Sequence, residues 1–279
     1  MIMEKKYNIR LIGTDLDNTL LTTDKRLTPR TKALIEECLE RGIHFLPTTG
    51  RARTGIPDFL REIKGLRYVL LANGAEVIDL KEDRSIYQNL IPYEKARELV
   101  IKLKEYPAYF DFFADGKGHS ESRFYDNLTD YGMDPFLIDL IHMSRERVDS
   151  MEGWLDENKS PVEKFTLFFK WTEDWSSAKE ELEKDPEICI TNSLTNNLEI
   201  NHHSCNKGDA LMALGSHLGI APEEIMACVD GSNDYEMIRR AGLGVAMANA
   251  CPEVLEVADY ITSSCDEEGV ARAIEKFVL

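Results

Sequence analysis

The sequence predicts an α/β protein in which both ends of the chain build one parallel sheet and an α+β segment is inserted between them. In residues 1–85 and again in 202–279, short apolar runs alternate with helical patterns. That alternation is typical of strands and right-handed crossovers in a parallel sheet. In residues 86–201, aromatic strand candidates cluster with helices instead, which indicates an antiparallel sheet. A chain of 279 residues is long enough for two compact domains.

The first segment contains apolar runs that predict three buried strands. They cover Ile9–Ile12, His44–Leu46 and Tyr68–Ala72. After the first strand, Thr28 and Pro29 are suited to the N-cap and first position of a helix, because a threonine oxygen accepts from an unpaired backbone N–H and proline needs no N–H there. We therefore predict a strand, helix, strand crossover at the start of the chain.

The insert and the last segment follow different patterns. The insert predicts a helix, two aromatic strands and a hairpin: Glu94–Leu103, Tyr109–Phe113, Phe165–Phe169, and Ile188–Ile190 with Leu198–Ile200. Its stretch between 113 and 165 is polar and poorly periodic. The last segment returns to alternation, with a helix and two strands predicted at Lys207–Leu218, Ile225–Val229 and Leu243–Met247. The first and last segments should therefore form one domain that the insert interrupts.

Composition limits the partners. The formal net charge of −17 argues against nucleic acid, because binding a phosphate backbone depends on clustered Lys and Arg. Any phosphate ligand must be attracted by local cations.

Six cysteines without a C-x-x-C pair indicate reduced thiols in a cytoplasmic protein. The charged N-terminus does not resemble a signal peptide, and no run of ~18 apolar residues predicts a membrane helix.

Charged residues far apart in sequence follow the predicted strands or begin a helix. They are Asp15 and Asp17, Lys207, and Asp230 and Asp234. In an open parallel sheet the loops at the carboxyl ends of the strands meet in one crevice. Four carboxylates there would repel one another unless a cation lay between them. Hard oxygen ligands beside a phosphate-handling site point to Mg²⁺.

Two strand ends offer chemistry for a phosphate ester. In Asp15-Leu16-Asp17-Asn18-Thr19, one aspartate could attack phosphorus to give an aspartyl-phosphate, while the other serves as general acid and base. In Thr48-Thr49-Gly50-Arg51, a hydroxyl and the backbone N–H groups could hold phosphoryl oxygens. Each segment alone could equally be a helix-capping turn.

The later motifs are also ambiguous when taken singly. Lys207 could neutralise phosphate charge, although a lysine at a helix start is more often a surface residue. In Asp230-Gly231-Ser232-Asn233-Asp234, carboxylate and amide oxygens suit Mg²⁺, but Asn233 or Asp234 could simply cap the next helix. Because all of these segments fall at strand ends of one alternating pattern, their conjunction carries the inference.

With these motifs the chain resembles haloacid dehalogenase (HAD) superfamily phosphatases of the Cof-type branch, subclass IIB, over nearly its whole length. That resemblance implies a Rossmann-like parallel-sheet core, residues 1–85 and 202–279, and an inserted α+β cap domain, residues 86–201. It implies Asp15 as nucleophile and Asp17 as general acid and base. The family usually has Gly before the fourth-motif aspartate, where this chain has Val229, so we expect a small shift in the backbone path and an intact metal site.

The resemblance also implies the binding groups and the activity. The residues expected to hold phosphate are Thr49, Gly50, Lys207 and Asn233, and those expected to hold Mg²⁺ are Asp15, the Asp17 carbonyl, Asp230 and Asp234. We expect a phosphatase for small phosphorylated metabolites, such as sugar phosphates, that is a monomer or small homo-oligomer. A phosphotransferase or mutase using the same aspartyl-phosphate, and a phospho-ligand sensor without turnover, are the alternatives.

Overall fold

The computed structural model describes residues 7–279, apart from the side chain of Phe136. The described residues form two compact units. The first comprises 7–49, 57–88 and 206–279, and the second comprises 50–56 and 89–205. The chain thus changes unit at 88/89 and 205/206, where the sequence predicts 85/86 and 201/202. The short segment 50–56, predicted within the core, clusters with the insert instead.

The secondary structure alternates as the sequence predicts, with additional short elements. The strands are β1 (Leu11–Asp15), β2 (His44–Thr48), β3 (Tyr68–Leu71), β4 (Glu76–Asp79), β5 (Arg84–Gln88), β6 (Ala108–Ala114), β7 (Lys117–Glu121), β8 (Arg145–Val148), β9 (Lys164–Phe169), β10 (Ile188–Thr191), β11 (Asn197–His202), β12 (Ile225–Val229), β13 (Leu243–Ala246) and β14 (Tyr260–Ile261). The α-helices are α1 (Pro29–Glu40), α2 (Asp58–Arg61), α3 (Tyr93–Leu103), α4 (Ser122–Tyr125), α5 (Pro135–Ser144), α6 (Met151–Asn158), α7 (Thr172–Leu182), α8 (Lys207–His217), α9 (Tyr235–Arg240), α10 (Pro252–Val257) and α11 (Gly269–Phe277).

The first unit contains a sheet in the order β14-β13-β12-β1-β2-β3-β4-β5. Its strands run parallel from β14 to β3, and β4 and β5 add an antiparallel hairpin. The predicted crossover is confirmed: Thr28 caps α1 by accepting from the Thr31 N–H, and β1 pairs in parallel with β2. Leu11 and Leu46 of the sheet share one buried cluster with Leu211 of α8, so apolar burial holds this helix on the sheet.

The second unit contains a sheet in the order β10-β11-β9-β6-β7-β8, antiparallel except where β7 meets β8. The predicted hairpin is confirmed as β10 and β11. Its apolar core includes Phe110, Phe112 and Phe165, all fully buried. The predicted α/β class, with a parallel sheet and an α+β insert, is therefore confirmed. Within the described part of the chain, every helix is too short or too polar to cross a membrane.

Candidate active site

The carboxyl edge of the first unit's sheet brings the predicted motifs together. β1 lies between β12 and β2, and all three strands run parallel. Asp15 is the last residue of β1 and is opposite Thr48 of β2, while Asp230 directly follows β12. Because parallel strands end at the same edge, segments more than two hundred residues apart place their polar side chains at one site.

The loop after β1 is a single wide turn. It is closed by a hydrogen bond from the Leu21 N–H to the Leu16 carbonyl at 2.9 Å. Within it, Asn18 has φ of +61°, in the left-handed region that asparagine tolerates better than most side chains. This turn directs Thr19 inward, where its side chain is buried.

Lys207 lies between two of the predicted aspartates. It is the first residue of α8, whose N-cap Asn206 accepts from the Asp209 N–H at 2.8 Å. The Lys207 Nζ atom lies 2.6 Å from Asp15 Oδ1 and 2.6 Å from Asp234 Oδ1. The lysine side chain is only 1% exposed. Its ammonium is therefore a buried cation shared by two carboxylates, and not the surface residue that this position alone would suggest.

The acidic side chains form a compact group. Carboxylate oxygens of Asp15, Asp230 and Asp234 lie within 4.8 Å of one another. The Thr19 hydroxyl donates to Asp230 Oδ1 at 2.6 Å, and the Gly231 N–H donates to Asp234 Oδ2 at 3.2 Å. Both hydrogen bonds fix the orientation of a carboxylate. Val229 stays in the sheet, where it is paired with Ala246, and Asp230 still lies in the acidic group.

The electrostatics of this group favour an additional cation. Burial raises the pKa of Asp15, and although attraction to Lys207 opposes this, repulsion from Asp234 and Asp230 adds to it. Burial likewise raises the pKa of Asp230 to about 6. Burial disfavours the charged form of Lys207, but its pKa is still raised, because Asp15 and Asp234 attract the ammonium. When all three carboxylates are ionised, the single ammonium of Lys207 leaves two negative charges uncompensated (−3 + 1 = −2), and a bound cation would favour that ionised state.

The donor set fits a hard divalent metal ion. Every candidate ligand atom in the acidic group of Asp15, Asp230 and Asp234 is a carboxylate oxygen. Oxygen ligands suit Mg²⁺, Ca²⁺ or Mn²⁺, whereas the softer transition metals favour imidazole or thiolate. A divalent cation would also balance the two excess negative charges. The acidic group can therefore hold a metal ion by the chemistry of its own residues.

Asp17 is not a member of this acidic group. Its carboxylate forms an ion pair with Lys25, with Oδ1 lying 3.1 Å from the Lys25 Nζ atom. The Asp17 side chain is 37% exposed, so it remains accessible to solvent and ligand. The Asp17 backbone carbonyl, and not its carboxylate, is expected from the sequence to bind Mg²⁺, and this stays a prediction.

The residues predicted to hold phosphate are divided between the two units. Thr49 follows β2 and is buried, with its N–H donating to the Leu70 carbonyl at 3.0 Å. Asn233 lies in a single turn between β12 and α9 and is half-buried. Lys207 is described above, whereas Gly50 begins the 50–56 segment of the second unit. The phosphate-binding roles of all four residues stay predictions.

Two side chains near the site were given no role by the sequence analysis, although Asn249 lies in the segment 244–250, which also fits the family resemblance. Lys25 contacts Asp17, and the Asn249 amide donates to the Asn18 carbonyl at 2.9 Å. Lys25 does not belong to a recognisable local pattern, and the pattern around Asn249 does not reveal its contact. The left-handed backbone at Lys25 cannot be seen in the sequence.

Comparison with known proteins agrees with this geometry. The family model described as haloacid dehalogenase-like hydrolase matches residues 12–274. The chain is 29% identical to a 5-amino-6-(5-phospho-D-ribitylamino)uracil phosphatase of Bacillus subtilis, over 100% of this chain and 99% of that relative. It is 26% identical to another phosphatase of Bacillus subtilis, over 96% of this chain and 99% of the relative.

Solved structures share the fold. A haloacid dehalogenase-like hydrolase from Bacteroides thetaiotaomicron superposes with a TM-score of 0.81 at 27% identity, over 96% of this chain and 99% of that one. A subclass IIB sugar phosphatase of the HAD superfamily superposes with a TM-score of 0.79 at 24% identity, over 96% and 98% of the two chains. At 24% identity, the similarity to the sugar phosphatase shows a shared fold only.

Proposed function

Because the chain belongs to the haloacid dehalogenase-like hydrolase family, we propose that it is a Mg²⁺-dependent phosphatase that hydrolyses small phosphate monoesters through an aspartyl-phosphate. Membership of this family, together with relatives named as phosphatases, confirms the predicted resemblance and identifies the protein as a hydrolase. The observation that carries the finer proposal is the position of the Lys207 ammonium, 2.6 Å from both Asp15 and Asp234.

The first step would be attack by Asp15 on phosphorus. The Lys207 ammonium donates to Asp15 Oδ1, so we assign the attack to Asp15 Oδ2. Oδ2 would form the new bond to phosphorus while the ester bond between phosphorus and the leaving oxygen breaks. Asp17, outside the acidic group and part-exposed, would give its proton to that oxygen. Catalysis of this kind depends mainly on positioning and on compensation of charge.

The second step would use the same residues in reverse. Asp17, now ionised, would take a proton from a water molecule as the water oxygen attacks the phosphorus carried by Asp15. The Asp15 carboxylate is thereby released together with inorganic phosphate. Throughout, Lys207 balances part of the charge on Asp15 and Asp234.

Asp15, Asp230 and the Asp17 carbonyl would hold Mg²⁺, with Asp234 assisting. When bound, the ion would supply positive charge to a phosphoryl oxygen. Thr49, Gly50 and Asn233 would add hydrogen bonds to the phosphoryl group. Thr19 would orient Asp230, to which it donates at 2.6 Å, as partners of metal ligands commonly do.

The substrate is proposed to be a small phosphorylated metabolite, such as a sugar phosphate. The Bacillus subtilis relative is named for a ribityl phosphate ester, so that compound belongs among the first esters to assay. The net charge of −17 also opposes a polyanionic partner such as nucleic acid. We propose a cytoplasmic protein whose second unit, as a cap, selects the leaving group.

The test is a panel of phosphate monoesters assayed for free phosphate with and without EDTA, beside Asp15→Asn. We expect turnover of at least one ester, its loss in EDTA, its recovery with Mg²⁺ and its absence in the variant. Thermal unfolding of the wild type should also shift upward with Mg²⁺, since a ligand of the folded state stabilises it. Metal-independent turnover, or full activity in Asp15→Asn, would contradict the proposal.

A further inference from the structure

An exposed lysine lies against the residue that we assign as general acid and base. The Lys25 Nζ atom is 3.1 Å from Asp17 Oδ1, and it also donates to Asn18 Oδ1 at 3.4 Å. The two charged side chains are 51% and 37% exposed. Exposed ion pairs of this kind stabilise a fold by only about 0–1 kcal/mol. Stability is therefore a poor explanation for this contact.

The backbone at Lys25 is held in an unfavourable conformation by a tight turn. Lys25 has φ of +59°, a left-handed conformation that disfavours a residue with a β-carbon. A tight turn holds it there: the Lys25 N–H donates to the Thr22 carbonyl at 2.8 Å, and the Thr22 N–H donates to the Arg26 carbonyl at 3.1 Å. Such strain persists only where the surrounding contacts enforce it.

The same turn is anchored to the far end of the chain. The Thr23 N–H and hydroxyl both donate to Asp266 Oδ1, at 2.9 and 3.0 Å. Because Asp266 precedes α11 of the same unit, the turn cannot move freely relative to the sheet edge. Lys25 therefore contacts Asp17 from a turn that is held in place by hydrogen bonds.

The backbone next to Asp17 is held from a second side. The Asn249 amide donates to the Asn18 carbonyl at 2.9 Å, and Asn249 Oδ1 accepts from the Cys265 N–H at 2.9 Å. The main chain at Asn18 is thus fixed by Asn249, whereas the carboxylate of Asp17 is fixed by Lys25. Both contacts restrict the position of the Asp17 side chain.

We propose that Lys25 is a positioning residue for Asp17. Resting on the proposed function, the inference is that the Lys25 ammonium, 3.1 Å from Asp17 Oδ1, holds the Asp17 carboxyl group in the orientation from which it gives a proton to the leaving oxygen. In the first step that proton passes from the Asp17 carboxyl group to the leaving oxygen as the ester bond breaks and the bond from Asp15 to phosphorus forms. Fixing a reacting group in this way lowers the entropic part of the barrier.

The experiment compares two substrates in Lys25→Met. An alkyl phosphate needs a proton on its leaving oxygen, whereas p-nitrophenyl phosphate releases a stable anion and needs little help. The ratio kcat/KM reports on the steps up to departure of the leaving group, so later hydrolysis does not enter. We expect kcat/KM to fall about tenfold for the alkyl ester, a fraction of what general acid catalysis can supply, and much less for the aryl ester.

Two further variants complete the test. Lys64 forms an exposed ion pair with Glu40, also at 3.1 Å and in the same unit, so Lys64→Met is the matched control and should leave both substrates unaffected. Lys25→Arg keeps a cation at this position, so its kcat/KM for the alkyl phosphate should be close to that of the wild type. An equal fall for both esters, or no fall, would overturn the role of Lys25. An inactive wild type would instead refute the proposed function.

Discussion

The Lys207 Nζ atom lies 2.6 Å from Asp15 Oδ1, although 192 residues separate the two in the sequence. The same ammonium is equally close to Asp234, so it links the first strand of the sheet to the turn after β12. Both partners are buried, so the ammonium compensates part of the charge of each carboxylate where solvent cannot.

Replacing Lys207 by Met should abolish most turnover. The ammonium would no longer oppose the charge on Asp15 and Asp234, and we expect kcat at saturating Mg²⁺ to fall by about 10²-fold or more. The control is Lys95→Met, because Lys95 is also buried and is paired with Asp185 at 2.7 Å. That variant should lose stability and keep its kcat. Near wild-type turnover in Lys207→Met would contradict the role of this lysine.

Thr19→Val should weaken metal binding and leave the fold intact. The change removes the hydroxyl that donates to Asp230 Oδ1, and loss of such a partner typically lowers metal affinity by about 10- to 100-fold. Calorimetric titration with Mg²⁺ measures the effect without substrate. Thr262→Val is the matched control, since Thr262 is also buried but donates to the Gly269 carbonyl. Equal affinities in wild type and Thr19→Val would show that Thr19 does not orient a metal ligand.

Gly74→Ala should displace the start of α8. A β-carbon at Gly74 would lie 2.3 Å from the Asn206 carbonyl oxygen and 2.9 Å from the Lys207 nitrogen. Gly42 is a suitable control, because it is also left-handed but has nothing within 4 Å of an added β-carbon. Gly42→Ala should cost about 1 kcal/mol through backbone conformation alone.

Gly74→Ala should cost more than the control in urea unfolding. It should also lower kcat, because Lys207 would move away from Asp15. If the two alanine variants behaved alike in both measurements, the close approach of Gly74 to α8 would not matter to the site.

Asp79 should contribute stability that depends on pH. Its buried carboxylate accepts from Arg67 Nε at 2.9 Å and Nη2 at 2.7 Å, and this interaction lowers the pKa of Asp79 below the ordinary value of 3.8. A group whose pKa is lowered on folding stabilises the fold above its unfolded pKa, and this contribution is lost as pH falls through the folded pKa.

Asp79→Asn should therefore lower the free energy of unfolding by about 1–3 kcal/mol at pH 7. The difference from wild type should shrink as pH falls below 3.8, where the carboxyl of the unfolded chain takes up a proton, and should be lost as pH falls through the lower folded pKa. Urea unfolding at a series of pH values measures both quantities. A difference that stayed constant into acid would exclude an ionic role for Asp79.

The elements that could be predicted are those whose burial is visible as a continuous apolar run. β12 was predicted with its observed bounds because all five of its residues are apolar. β1 begins two residues later than predicted and continues through Thr14 and Asp15, whose polar side chains conceal the end of the strand. β7 was missed because Lys117–Glu121 carries no apolar side chain, although most of it is buried.

The site could be predicted where it depends on strand ends, and not where it depends on turns. Parallel topology dictates that the ends of β1 and β12 meet, so Asp15 and Asp230 could be placed together in advance. Lys25 reaches the loop after β1 from a left-handed position in a turn, and Asn249 reaches it through a contact across 231 residues. No local pattern encodes contacts of that kind.

The central claim is that Asp15 becomes covalently phosphorylated. Wild-type enzyme mixed with a turned-over ester, quenched rapidly and treated with borohydride should show reduction of the carboxyl group at position 15, because an acyl phosphate is reduced whereas a free carboxylate is not. Peptide mass spectrometry locates the change. We predict modification at Asp15 only when substrate is present. An unmodified Asp15 under turnover, or modification at Asp17 instead, would contradict the account.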